Sequence, residues 1–116
     1  MIFVTVGGGP YYGFNRLVTK MDEIAKNRAF EVVIQSGCST YVPRNAQYFK
    51  FTHMEDMLNY YKKADLVVAH ASGAPVIYAR EFNLPLILVP RLVELSEIFD
   101  DHQLKTAKRL ETESMI

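Results

Sequence analysis

Apolar residues in this chain come in two textures: short unbroken runs, and longer stretches where they recur every three or four positions. Unbroken runs at residues 2–7 (IFVTVG), 30–35 (FEVVIQ), 65–70 (DLVVAH) and 84–90 (LPLILVP) predict strands buried on both faces, and residues 48–52 a shorter one. Between them the spacing changes to that of helices. Phe14, Leu17, Val18, Met21, Ile24 and Ala25 form one stripe of a helix over residues 14–26. Thr52-x-x-Glu55 reads as a capping box for a second helix, with Met54, Met57, Leu58, Tyr61 and Ala64 on its buried face. Pro75 opens a short third helix. Residues 92–99 read as a loop or helical turn, after which Asp100 and Asp101 open a last helix that turns Leu104, Ala107 and Leu110 inward.

The resulting order, β-α-β-β-α-β-α-β-α, predicts an α/β fold: a doubly wound parallel sheet of about five strands. In such sheets ligands bind beyond the carboxyl ends of the strands. Here that edge carries His70, then the small-residue turn Ala71-Ser72-Gly73-Ala74 leading into a helix. Unpaired N–H groups and the positive end of the dipole favour an anion such as phosphate at that turn.

Composition narrows the class. A length of 116 residues predicts a single domain over 1–116, and 49% hydrophobic residues suffice for a packed core. The chain stops at Ser114-Met115-Ile116, which reads as the start of something further, so a truncated or short carboxyl end is expected. Thirteen basic residues balance thirteen acidic ones, which argues against nucleic acid as a partner. The lone Cys38 excludes an internal disulfide and fits a reducing, cytoplasmic setting. No apolar run approaches the roughly 20 residues needed to cross a bilayer, so no direct membrane insertion is expected.

Other motifs are weighed against simpler readings. The loop Gly7-Gly8-Gly9-Pro10-Tyr11-Tyr12-Gly13 follows the first strand but lacks the Gly-Lys-Ser/Thr of a P-loop. As a dinucleotide fingerprint its third glycine comes one residue late, and Gln35-Ser36 stands where an acidic ribose ligand would be. Ser36 and Gly37 face the same crevice. Cys38 has no basic neighbour in sequence to activate it. His53, His70 and His102 share no metal-ligand spacing with carboxylates or cysteine, so neither metal nor cofactor is expected. Gln103, with no capping role, is free to hydrogen-bond hydroxyls of a neutral ligand.

In their order and spacing, VTVG near the start, VVIQSG, ADLVVAHASGAPVIYAREFNLPLILVPR and DDHQ resemble the carboxyl-terminal domain of glycosyltransferase family 28. The resemblance is greatest to its stand-alone subunits that bind UDP-N-acetylglucosamine (UDP-GlcNAc), and extends to the second half of the peptidoglycan GlcNAc transferase. It implies a Rossmann-like half of a GT-B glycosyltransferase: the donor-binding subunit of a two-chain inverting enzyme, peripheral at the cytoplasmic membrane face. A membrane-anchored partner subunit would hold a lipid-linked acceptor. By position, Gly7 and Gly8 would lie beside the diphosphate or sugar, Ser36 and Gly37 would line the crevice, and Phe51 with Thr52 would border the uracil. His70, Ser72, Gly73 and Ala74 would form the phosphate turn, and Asp101, His102 and Gln103 would face the donor sugar. No residue of this chain is assigned as catalytic.

The pattern departs from the family in three places, the first being Gly7-Gly8 where the family has Gly-Thr after the first strand. The turn usually reads His-Ala-Gly-x-Gly-Thr, whereas here it is His70-Ala71-Ser72-Gly73-Ala74-Pro75, and Tyr78 stands where the family carries a glutamate for the ribose hydroxyls. Those departures motivate an alternative reading, a non-catalytic relative serving as a binding or assembly module with a degenerate nucleotide site. A generic flavodoxin-like nucleotide binder is a third reading.

Overall fold

The computed structural model describes residues 1–9 and 12–112. Its elements are β1 (Ile2–Thr5), α1 (Asn15–Ile24), β2 (Val32–Gln35), β3 (Gln47–Phe49), α2 (Met54–Lys63), β4 (Leu66–His70), α3 (Gly73–Glu81), β5 (Leu86–Val89) and α4 (His102–Thr112), with a single 3-10 turn at Val93–Leu95 between the last two. The strands form one parallel sheet in the order β3-β2-β1-β4-β5. The expected doubly wound α/β architecture is what the chain adopts.

Side-chain alternation along the strands explains the two layers. Val4, Ile34 and Val68 point to one face and pack with Phe14, Leu17, Val18 and Met21 of α1 and the residue before it. Phe3, Val33 and Val67 point to the other and meet Tyr61 and Ala64 from the α2 end. There Phe3 and Phe49 each stack on Tyr60, at 5.4 and 4.9 Å between ring centroids.

The chain winds outward from β1 to β3, then returns to place β4 on the opposite flank of β1. The switch point therefore lies between β1 and β4, where Thr5 pairs with Ala69.

Five sequence expectations need correction. The run at 84–90 is an edge strand rather than a doubly buried one, and Ile87 stays 50% exposed; an apolar run alone does not distinguish edge from centre. The capping box does not form: His53 precedes α2, and the Thr52 hydroxyl donates to Asp56 at 3.1 Å. Met54, at the exposed start of that helix, leaves the buried stripe. Helix α3 starts at Gly73 after Ser72, so the buried Pro75 is its third residue. That position is still within the first turn, where a missing N–H costs nothing. Finally, α4 begins at His102, whose N–H is accepted by Asp100 Oδ1 at 3.0 Å. The two aspartates precede the helix.

Candidate functional site

The crevice beyond β1 and β4 is built first by Gln35. Its Oε1 accepts from the Thr5 hydroxyl (2.7 Å) and from the N–H groups of Val6 and Gly7 (3.1 Å each). Its Nε2 donates to the carbonyls of Gly7 (3.1 Å) and Lys50 (2.8 Å). The side chain is 3% exposed, and its amide pins the chain leaving β1. Gly7 takes φ +84°, and a Cβ there would lie 2.7 Å from His70 Cε1 and Nε2. Only glycine lets the loop pack over that imidazole.

Opposite stands Arg91, on the segment leaving β5, 4% exposed. Its Nη2 donates to the carbonyls of Val6 (2.7 Å) and Tyr12 (3.3 Å), its Nε to that of Gly13 (3.1 Å), and its Nη1 to His70 Nδ1 (3.0 Å). The guanidinium also lies 4.9 Å from the Phe14 ring centroid. Carbonyl dipoles thus replace water around a buried charge. Sequence reading passed over this residue. The available signal was a cation directly after an apolar strand, at the sheet edge where ligands bind.

His70 is neutral in this setting: burial first, and then the Arg91 charge, lower its pKa to about 4. Its Nε2 lies 3.1 Å from Ser72 Oγ. Ser72 immediately precedes α3 and makes no side-chain cap bond, and the N–H groups of Gly73 and Ala74 have no preceding helical carbonyls to meet. A Cβ on Gly73 would meet nothing within 4 Å, so the helix end opens onto free space.

A cleft of about 550 Å³ lies over these groups, bordered by Gly9, Tyr12, His70, Arg91, Phe99 and Gln103. It adjoins a smaller recess of about 260 Å³ reached by Ser72, Gly73, His102 and Gln103. The structure therefore gathers Gly7, His70, Ser72, Gly73, His102 and Gln103 at one place. Gln103 is half committed, because its Oε1 accepts from the Arg91 N–H at 3.0 Å. Its amide NH2 is bonded to no described residue and remains available to a ligand. Ala74 is exposed in the first turn of α3, and Gly8 borders open space.

The remaining candidates lie elsewhere. Ser36 is buried and directs its hydroxyl at the Phe49 carbonyl (3.4 Å), and Gly37, with φ +55°, supports Gly7 from beneath. Phe51 and Thr52 sit on the exposed loop before α2. Asp101 pairs with Lys105 at 3.5 Å on the surface. Tyr78 packs on Tyr61, with ring centroids 5.2 Å apart, and its hydroxyl lies 3.5 Å from Met54 Sδ. Among the described residues no cluster of three or more His, Cys, Asp or Glu could hold a metal, and no helix is long and apolar enough to cross a membrane.

Residues 1–115 match the model of the glycosyltransferase family 28 C-terminal domain. The chain belongs to that family. The match extends from the first strand through the last helix, so the cleft described above is the strand-end crevice of a glycosyltransferase family 28 C-terminal domain. A curated relative, the human UDP-N-acetylglucosamine transferase subunit ALG13, is 28% identical over 120 residues. The alignment takes in 97% of this chain and 10% of that protein, so this family 28 domain spans about a tenth of its relative's length.

Proposed function

We propose that this chain is the donor-binding part of a two-chain inverting glycosyltransferase, and that it holds UDP-GlcNAc or a similar UDP-sugar. One observation carries the reading: the amino end of α3, with Ser72 and the N–H groups of Gly73 and Ala74, opens on a recess that Gln103 also lines, and this recess adjoins the larger cleft over His70. A diphosphate at that end gains the helix dipole and two backbone donors, which stabilise negative charge growing on the leaving UDP. Pro75 offers no N–H, so binding falls to Gly73, Ala74 and the serine. By the family resemblance, Phe51 and Thr52, on the loop before α2 and outside this recess, would border the base, Gly7 and Gly8 the diphosphate or sugar, and Asp101, His102 and Gln103 the donor sugar. The reading takes further support from the relative named as a UDP-N-acetylglucosamine transferase subunit.

A GT-B enzyme reacts between two Rossmann-like halves, so the acceptor and the base that deprotonates it belong to a partner. A membrane-anchored subunit presenting a lipid-linked acceptor fits that role. The chain itself would then be cytoplasmic and peripheral at the membrane through that partner.

Calorimetric titration with UDP-GlcNAc and with UDP tests the reading. Saturable heat that UDP competes away is expected. Absence of heat at millimolar ligand, with the partner present, overturns it.

One observation favours the second reading, a non-catalytic binding or assembly module. Tyr78, at the family's ribose-binding position, is packed on Tyr61 and directed at Met54. A phenol makes one hydrogen bond where a carboxylate makes a bidentate pair. Tyr78→Glu separates the two: gained UDP affinity marks a decayed site, whereas lost transfer activity gives Tyr78 its own role.

A further inference from the structure

We propose that Arg91 is a positioning residue of the phosphate turn: by donating to Nδ1 of His70 it keeps the ring proton on Nε2, facing Ser72, so that the serine hydroxyl donates outward to the bound anion. The anion end of this chain of bonds rests on the donor-site reading above. The chain itself rests on geometry alone.

A guanidinium has donors and no acceptor. With Arg91 Nη1 3.0 Å from His70 Nδ1, that nitrogen must be the acceptor and cannot carry a proton. A neutral imidazole then carries its proton on Nε2, 3.1 Å from Ser72 Oγ. The serine oxygen accepts, and its own hydrogen is left over. Among the described residues Ser72 Oγ bonds only to His70 Nε2, so that hydrogen has no acceptor within the chain, and the hydroxyl stands at the helix end where negative charge is favoured.

The charges around the ring support the assignment. Arg91 is the charged group that touches the imidazole. Glu97 attracts Arg91 through space, but its carboxylate is taken by Arg16, at 3.0 Å from both Nε and Nη2, and by the Leu92 N–H. Among the described residues no carboxylate hydrogen-bonds the ring. Arg91 itself is held by the carbonyls of Val6, Tyr12 and Gly13, so the glycine-rich loop and the phosphate turn are set by the same side chain. Lysine, a point charge without the planar fork, could not do both.

Nitrogen-15 NMR of the imidazoles, combined with UDP titration of the full chain, tests this. The wild-type ring is expected as the Nε2–H tautomer, and Arg91→Met as a tautomer mixture. Ser72→Ala should weaken UDP binding roughly ten- to hundredfold, the range for a hydrogen bond to a charged group. Arg91→Met should cost clearly less in the Ser72→Ala background than in wild type, because both act through one chain of bonds. His70→Gln, whose amide nitrogen can replace Nε2, should retain more UDP affinity than His70→Phe. Should Arg91→Met fail to fold, the wild-type tautomer and the Ser72 and His70 variants still decide.

An Nδ1–H tautomer in wild type, or additive losses in the double variant, overturns the proposal whether or not UDP binds. An Nε2–H ring in a wild-type chain that binds no UDP overturns the donor reading, and with it the outward end of the chain of bonds.

Discussion

A Cβ placed on Gly7 lies 2.7 Å from both Cε1 and Nε2 of His70. The glycine and the histidine thus form one contact surface, with the loop backbone packed close against the ring. Gly7→Ala must move either the loop or the imidazole, and it also carries a side chain at φ +84°. The expected cost is about 1–3 kcal/mol of stability, together with loss of UDP binding. Gly8→Ala is the matched control for stability, because nothing lies within 4 Å of its Cβ. It should fall within ~0.5 kcal/mol of wild type. Urea unfolding of both variants and UDP titration of Gly7→Ala check the pair.

His70 makes the fold acid-sensitive in a defined window. Its pKa falls from 6.5 to about 4 on folding, through burial and then Arg91. Between those values the unfolded chain binds the extra proton, so stability is complete above pH 6.5 and declines as the pH drops toward 4. The loss amounts to on the order of 3 kcal/mol. Unfolding midpoints measured across that range should slope steeply for wild type and be much flatter for His70→Gln. Equal slopes would remove the buried neutral imidazole from the account.

Asp22 is fully buried on α1. Burial alone would raise its pKa; the Arg44 N–H, the Tyr41 hydroxyl, and the N–H groups of Ala46 and Asn45 outweigh that and hold it at about 2. Those bonds run from 2.6 to 3.0 Å and fold the segment after β2 back onto α1. Asp22→Asn turns an NH2 group toward donors and should cost roughly 3 kcal/mol. The wild-type contribution is present above the unfolded carboxylate pKa of 3.8 and disappears as the pH falls toward 2. Thermal melts of the variant at neutral pH check the magnitude.

Gln35→Glu retains the acceptor that serves Thr5, Val6 and Gly7 but loses the donor that serves the Gly7 and Lys50 carbonyls. A carboxylate facing two carbonyl oxygens should destabilise by about 2 kcal/mol. Repulsion raises the new carboxyl's folded pKa, so the defect should ease on mild acidification. A defect independent of pH would show that the donor bonds matter little.

The sheet was legible because strands and helices leave different periods: Val4, Ile34 and Val68 lie in unbroken runs, whereas Leu17, Val18 and Met21 recur at a helical interval. The tight turn between β4 and α3 was legible too, since His70, Ser72 and Gly73 are neighbours along the chain. What escaped notice depends on distant partners. Arg91 reaches carbonyls 78 to 85 residues away in sequence, and its place directly after an apolar strand hints at the sheet edge but not at those partners. Asp22 beside Met21 likewise reads as the solvent side of an amphipathic helix until the segment bearing Tyr41 folds over it. Boundaries shifted where a cap was inferred from residue type: Thr52 turned to Asp56 instead of to the backbone.

The tie that Gln35 makes between the Gly7 and Lys50 carbonyls joins two rims of the crevice through one amide. Neither rim can swing without dragging the other. A ligand entering this crevice therefore meets two edges whose spacing is already set, and the cost of ordering them is not charged to its binding.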